Sequence, residues 1–206
     1  MEQLDSATAA LVRFAAAVAA GDEAVVRGQL DDAVGAKVPY GWLEEVVLQS
    51  YLFAGFPRAL NAMRELRRVI GDSPAATEPD GDLAAWRADG EATCAAVYGA
   101  SYEKLRKNIR HLHPALDNWM VIEGYGKVLS RPGLDLARRE LCIIAACAAQ
   151  RQQRQLHSHL RGALNVGVAA QVISAALDAM AAVIGAQAAG DAHTLWAKVS
   201  GATRVH

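Results

Sequence analysis

Two residues with usable chemistry stand 19 positions apart in the stretch "ELCIIAACAAQRQQRQLHSHLRGALNVG", residues 140 to 167: Glu140 and His159. A histidine titrates near neutral pH, and a neighbouring carboxylate fixes its tautomer or raises its pKa. Together they are a proton-transfer pair, provided the chain folds back between them. If a turn falls near Arg151-Gln152, the two flanking helices run antiparallel. Glu140 and His159 then differ by roughly 6 Å along the axis at ~1.5 Å per residue, a gap that side chains close. The structural alternative is a first-turn acid favoured by the helix dipole and an ordinary surface histidine. His157 lies two residues from His159, so on a helix it points elsewhere, to the pocket edge or to the surface. An anionic substrate needs a cationic partner, and arginine offers two-pronged carboxylate binding. Arg131 and Arg161 are the candidates. His111 and His113, in "RHLHPALDNW", could reach over a pocket as a lid or serve a structural role.

Other chemistries lack their residues. The three cysteines, Cys94, Cys142 and Cys147, form no CxxC, and the latter two fall in an alanine-rich helix as buried thiols. No HExxH or comparable spacing is present, and His157-x-His159 alone is weak for a metal, so no metal site is expected. The net charge of −1 predicts neither a nucleic-acid nor an anionic-membrane surface. No apolar run is long enough to span a bilayer, the N-terminal segment is acidic where a signal peptide would be basic, and a reducing cytoplasm is the expected location.

The elements that must position these residues read as helices. Alanine is abundant and strict two-residue alternation is absent, which predicts an all-α fold. Asp5 or Ser6 caps a helix to about Ala20; a second covers 22 to 34, ending at Gly35; a third covers Tyr40 to Phe53; a fourth starts after Pro57. "RELRR", residues 64 to 68, reads as a solvated face. "GDSPAATEPDGD", residues 71 to 82, reads as a linker, one or two helices follow over 83 to 110, and "SRPGLD" turns the chain so that Asp135 can cap the next helix.

Shifted by 130 residues, the chain aligns on itself without gaps from Leu4 to Met63. Leu-Asp opens both copies, and Gly55 falls on Gly185. We therefore expect two tandem helical units: 1–70, a linker and helical extension over 71–133, and 134–206. The first unit has Ala10 where the second has Glu140, and Gln29 where it has His159, so the pair belongs to the second unit alone.

"YGKVLSRPGLDLARRELCIIAACAAQRQQRQLHSHLRGALNVGV" with "LEEVVLQSYLFAGFPRALNAM" resembles the carboxymuconolactone decarboxylase and alkylhydroperoxidase D superfamily, and "SRPGLD" is more similar to its decarboxylase branch. The resemblance implies an alkylhydroperoxidase D-like helical fold. Redox members carry a CxxC whose cysteines would fall on Gln152 and Gln155, with His159 and Glu140 as the proton relay. The relay is kept and the thiols are absent, which excludes thiolate peroxidase chemistry. It implies a cofactor-independent decarboxylase or isomerase acting on a small cyclic acid, with His159 moving the proton, Glu140 orienting it, and Arg131 or Arg161 holding a carboxylate; a non-catalytic binding or assembly protein on the same scaffold is the alternative. Decarboxylase-branch members tend to have an aromatic "WGxxW" where this chain has "YGKVL", with Tyr125 and Leu129 in the aromatic positions. Fused two-unit members form trimers, so a homotrimer is expected.

Overall fold

The computed structural model describes residues 1–71 and 81–203, and every regular element among them is helical. They are α1 (Ser6–Ala20), α2 (Glu23–Gly35), α3 (Tyr40–Ile70), α4 (Leu83–Tyr98), a short 3-10 turn (Gly99–Ser101), α5 (Tyr102–Leu112), α6 (Pro114–Trp119), a π-helical segment (Met120–Leu129), α7 (Leu136–Ala149), α8 (Gln153–Asn165), α9 (Ala170–Ile184) and α10 (Ala186–Thr203). Most of the proposed linker lies outside the described residues.

The centre of the molecule is the pair α1 and α7, which pack on each other and on α3 and α9. Both are buried along nearly their whole length, which their alanines permit by letting neighbours approach closely. Their N-termini are capped alike. Asp5 accepts the Thr8 amide at 2.7 Å and Asp135 accepts the Arg138 amide at 3.0 Å. Arg138 joins the two caps, reaching Asp135 at 2.6 Å, Asp5 at 3.3 Å and the Thr8 hydroxyl at 3.0 Å, with its guanidinium over the Trp42 ring.

Correspondences at 130 residues recur through the chain. α2 and α8 start and end 130 positions apart. Gly55 interrupts α3 with φ 81° and ψ 162°, and Gly185 separates α9 from α10 with φ 81° and ψ 159°. The helix that resumes after Gly55 has Pro57 in its first turn, as the sequence led us to expect. Both α2 and α8 end in a left-handed residue followed by a six-to-one hydrogen bond, Val38 N–H to Ala33 O in one and Val168 N–H to Ala163 O in the other. The sequence suggested Gly35 for the first of these ends. The structure instead keeps Gly35 inside α2 and gives the left-handed conformation to Lys37, with φ 58°.

A second correction concerns "RELRR". Glu65 and Leu66 are buried, and Glu65 receives Arg27 at 2.9 Å and Arg68 at 2.6 Å. That stretch is therefore a helix seam with charges at its edge, because α3 packs its apolar side on α1 and α2.

α4 lies across the π segment at very short range. A Cβ on Gly126 would stand 1.9 Å from the Trp86 carbonyl oxygen, and one on Gly90 2.1 Å from that of Val121. Only hydrogen fits at either place, and this contact fixes the part of the chain that roofs the site.

Lys37 yields a stability test. A side chain in the left-handed region costs on the order of 1 kcal/mol relative to glycine, and the equivalent position 130 residues on is Gly167, with φ 84°. Lys37→Gly should raise the unfolding free energy by about 1 kcal/mol in urea titration. An unchanged or lowered midpoint would show that Lys37 is not strained.

Candidate functional site

The pair sits where α7 and α8 run antiparallel after the turn at Arg151, which itself takes φ 56°. His159 Nδ1 lies 2.9 Å from Glu140 Oε2, and both side chains are buried. The space for the carboxylate exists because residue 162 is glycine: a Cβ there would meet Glu140 Oε2 at 2.7 Å and Val97 Cγ1 at 2.7 Å. Glu140 Oε1 is buried and has no hydrogen-bond partner. The hydrogen bond to Oε2 fixes the Nδ1 side of the ring, and the Nε2 side has no protein partner among the described residues. Phe53 stands edge-on to the imidazole at 5.9 Å and Tyr98 is tilted against it at 6.4 Å.

His159 opens on a cavity of about 470 Å³. Its inner wall is Phe53, Tyr98, Tyr125 and Leu129, its outer wall Leu105, Ile109, Leu116 and Trp119, and its polar rim Glu123, Arg154, Gln155 and Ser158. Tyr98 and Tyr125 meet edge to face at 6.1 Å. Burial pushes both phenols upward, and the charge of Glu140 adds to that, so both present O–H rather than oxyanion. An apolar chamber with a few convergent polar groups is the usual form of a small-molecule site.

Of the residues singled out from sequence, His159, Gln155, Tyr125 and Leu129 line this cavity, and Glu140 stands behind the histidine. Gln152, the other position that would hold a redox cysteine, is exposed and precedes α8. Arg131 lines a neighbouring groove and pairs with Glu45 at 3.2 Å. His157 and Arg161 are exposed and line neither space. His111 and His113 are exposed too, and His113 Nδ1 accepts the Ala115 amide as the cap of α6. The covering side chains are instead Leu105 and Ile109, on a helix held by Asp117: Arg106 reaches it at 2.5 Å and Arg110 at 2.9 Å. Hydrogen bonds from Arg106 hold the Asp117 carboxyl below its usual range.

Arg154 and Glu123 were missed. Helical geometry could have found Arg154, since 154 with 158 and 155 with 159 stand one turn apart on α8. Glu123 had no such signal, because the π segment that carries it does not keep α-helical spacing.

The three cysteines are buried and unpaired, and burial pushes each thiol up to about 12. None is a nucleophile at neutral pH. Among the described residues no cluster of metal-ligating side chains occurs, and no helix is long and apolar enough to cross a membrane.

Residues 114–198 match the carboxymuconolactone decarboxylase family, an interval that holds Tyr125, Glu140, Arg154 and His159. Peroxisomal protein 2 of Schizosaccharomyces pombe is 29% identical over 163 residues, which cover 76% of this chain and 76% of that protein.

Gly162→Ala tests how tightly the pair is enclosed. The added methyl must displace Glu140 or Val97, and overpacking of this kind costs about 1–3 kcal/mol. Urea unfolding should show that loss; a midpoint equal to wild type would mean that α7 and α8 are free to part here.

Proposed function

We propose, from the match of residues 114–198 to the carboxymuconolactone decarboxylase family, that this chain is a cofactor-independent decarboxylase or isomerase of a small cyclic, lactone-like carboxylic acid. The observation that carries the proposal is the buried 2.9 Å contact between His159 and Glu140 at the wall of an open, apolar cavity. Glu140 accepts the Nδ1 proton and holds the ring, leaving Nε2 for the substrate. Arg154 replaces Arg131 and Arg161 as the cation nearest the reacting acid. In decarboxylation the bond to the carboxylate carbon breaks, CO₂ departs, and the electron pair passes into the conjugated lactone. The carbanion takes a proton from Nε2 of the imidazolium, and water returns a proton to the ring. In isomerisation the same nitrogen removes a proton from one carbon and delivers it to another. Exclusion of water by Phe53, Tyr98 and Tyr125 favours charge delocalised in the substrate over charge held by solvent.

The alternative, a binding or assembly protein on the same scaffold, is best served by a filled interior. The cavity beside His159 favours the enzyme. The organisation we propose is two units of one helical kind, 1–70 and 134–206, joined by the extension over 71–133. The shared caps, left-handed turns and glycine breaks at 130-residue separation support it. With Ala10 and Gln29 at the matching positions, only the second unit carries a site. Three unpaired cysteines suit a reducing compartment such as the cytoplasm.

The chemistry is tested by His159→Gln, which copies Gln29. Turnover of a lactone acid, followed by CO₂ release or by ultraviolet absorbance, should fall about 10²–10⁴-fold. Native-state thiol alkylation should leave it unchanged. Full activity in His159→Gln, or loss on alkylation of a folded protein, would reject the relay.

We also propose a homotrimer that imitates a six-unit ring. Leu60, Leu83 and Leu112 stand exposed on the single chain, and closed rotational symmetry buries such surfaces in repeated pairs. Light scattering at micromolar concentration should give three times the chain mass; a concentration-independent monomer would refute it.

A further inference from the structure

Beside the cavity lies a groove of about 680 Å³, lined by Leu48, Tyr51, Phe56, Lys127, Val128 and Arg131. Leu52, Trp119 and Glu123 line both spaces, so the two compartments adjoin. The π segment divides them. Its wide turns put Met120, Gly124, Tyr125 and Leu129 on the cavity side and Lys127 and Val128 on the groove side, with Glu123 at the junction. Segments of this kind recur at functional sites.

The charges alternate along this path. Arg154 stands at the cavity rim, Glu123 at the junction and Lys127 in the groove. Neither cation makes an ion pair among the described residues; the Lys127 ammonium lies over the Trp86 ring at 5.1 Å. Glu123 is held from the other side by the Tyr51 hydroxyl, which donates at 3.2 Å, and burial together with the charge of Glu123 raises that phenol to about 12, so it stays a donor. The walls between the charged points are aromatic or aliphatic.

We infer that the groove is a second substrate subsite, and that the ligand is an elongated dicarboxylate whose reacting end occupies the His159 cavity while its distal carboxylate meets Lys127 across an apolar spacer. This rests on the proposed function for the identity of the reacting end. A spacer is required because a short diacid would leave its second carboxylate beside Glu123, where like charges repel. A long one carries it past Glu123 to the ammonium. A small monoacid would fill only the cavity and leave the groove and Lys127 unused.

Calorimetric titration of the full chain with succinate, adipate, suberate, sebacate and dodecanedioate, each against the monocarboxylate of equal length, tests this directly. Affinity should peak at one of the longer diacids and exceed that of its monoacid by roughly fivefold, the size of a partly screened ion pair. Lys127→Met should abolish the advantage without weakening the monoacid. Glu123→Gln should move the optimum toward shorter diacids. His159→Gln, which the proposed chemistry predicts to be inactive, should keep the length preference, so the subsite and the reaction are read separately. Equal binding of diacid and monoacid at every length, an advantage that survives Lys127→Met, or a preference lost in His159→Gln would overturn the groove as a subsite.

Discussion

A buried carboxylate against a buried imidazole is the constraint on which the rest of this structure depends. Removing a carboxylate from water is costly unless it is partnered, and His159 gives Glu140 one partner where two oxygens need them. Three features have to coincide. α7 must place Glu140 on its inner side, α8 must return antiparallel at one register, and residue 162 must lack a side chain. The turn at Arg151 sets the register, and Gly162 removes the obstruction. Given these, the imidazole is held from behind and presents its free nitrogen to a chamber with few other polar groups.

That chamber is assembled from the other direction by backbone contact. Gly90 and Gly126 let α4 rest almost directly on the π segment, and the same contact carries Tyr98 and Tyr125 to the imidazole side. α5, by comparison, buries none of its residues fully and is fastened through the Arg106 and Arg110 pairs with Asp117. The inner wall is therefore fixed by sterics and the outer wall by charge.

Much of this was legible in the sequence, for identifiable reasons. Helix caps are local, so Asp5 and Asp135 announce their helices. The glycine at 55 and its counterpart at 185 mark breaks that only a positive φ explains. Glu140 and His159 could be paired because helix rise is constant and the turn between them is short. What escaped depended on distant partners or irregular backbone. Arg131 looked available for substrate because nothing nearby in sequence opposes it, yet its carboxylate partner Glu45 is 86 residues away. Glu65 looked solvated beside three arginines until α2 brought Arg27 over it. Glu123 and Lys127 sit on a π segment, whose turn is wider than the α-helical spacing by which faces were assigned.

The polar network around Arg139 breaks the 130-residue correspondence. Arg139 is fully buried on α7 and reaches Glu45 at 2.7 Å and Gln49 at 3.2 Å on α3, along with the carbonyls of Leu134 and Arg131. At 130 residues' separation, Ala9 answers to Arg139, Ala175 to Glu45 and Ala179 to Gln49. The charges thus run one way, from the α3 acid to the α7 guanidinium, with alanines at the positions 130 residues away. Breaking a buried pair of this kind costs about 3–5 kcal/mol because it strands a charge, so any shift of α3 along α7 that parted Glu45 from Arg139 is disfavoured. That asymmetry also pins the "SRPGLD" turn through the Leu134 and Arg131 carbonyls. The turn in turn sets where the π segment ends and α7 begins, and so places Glu140.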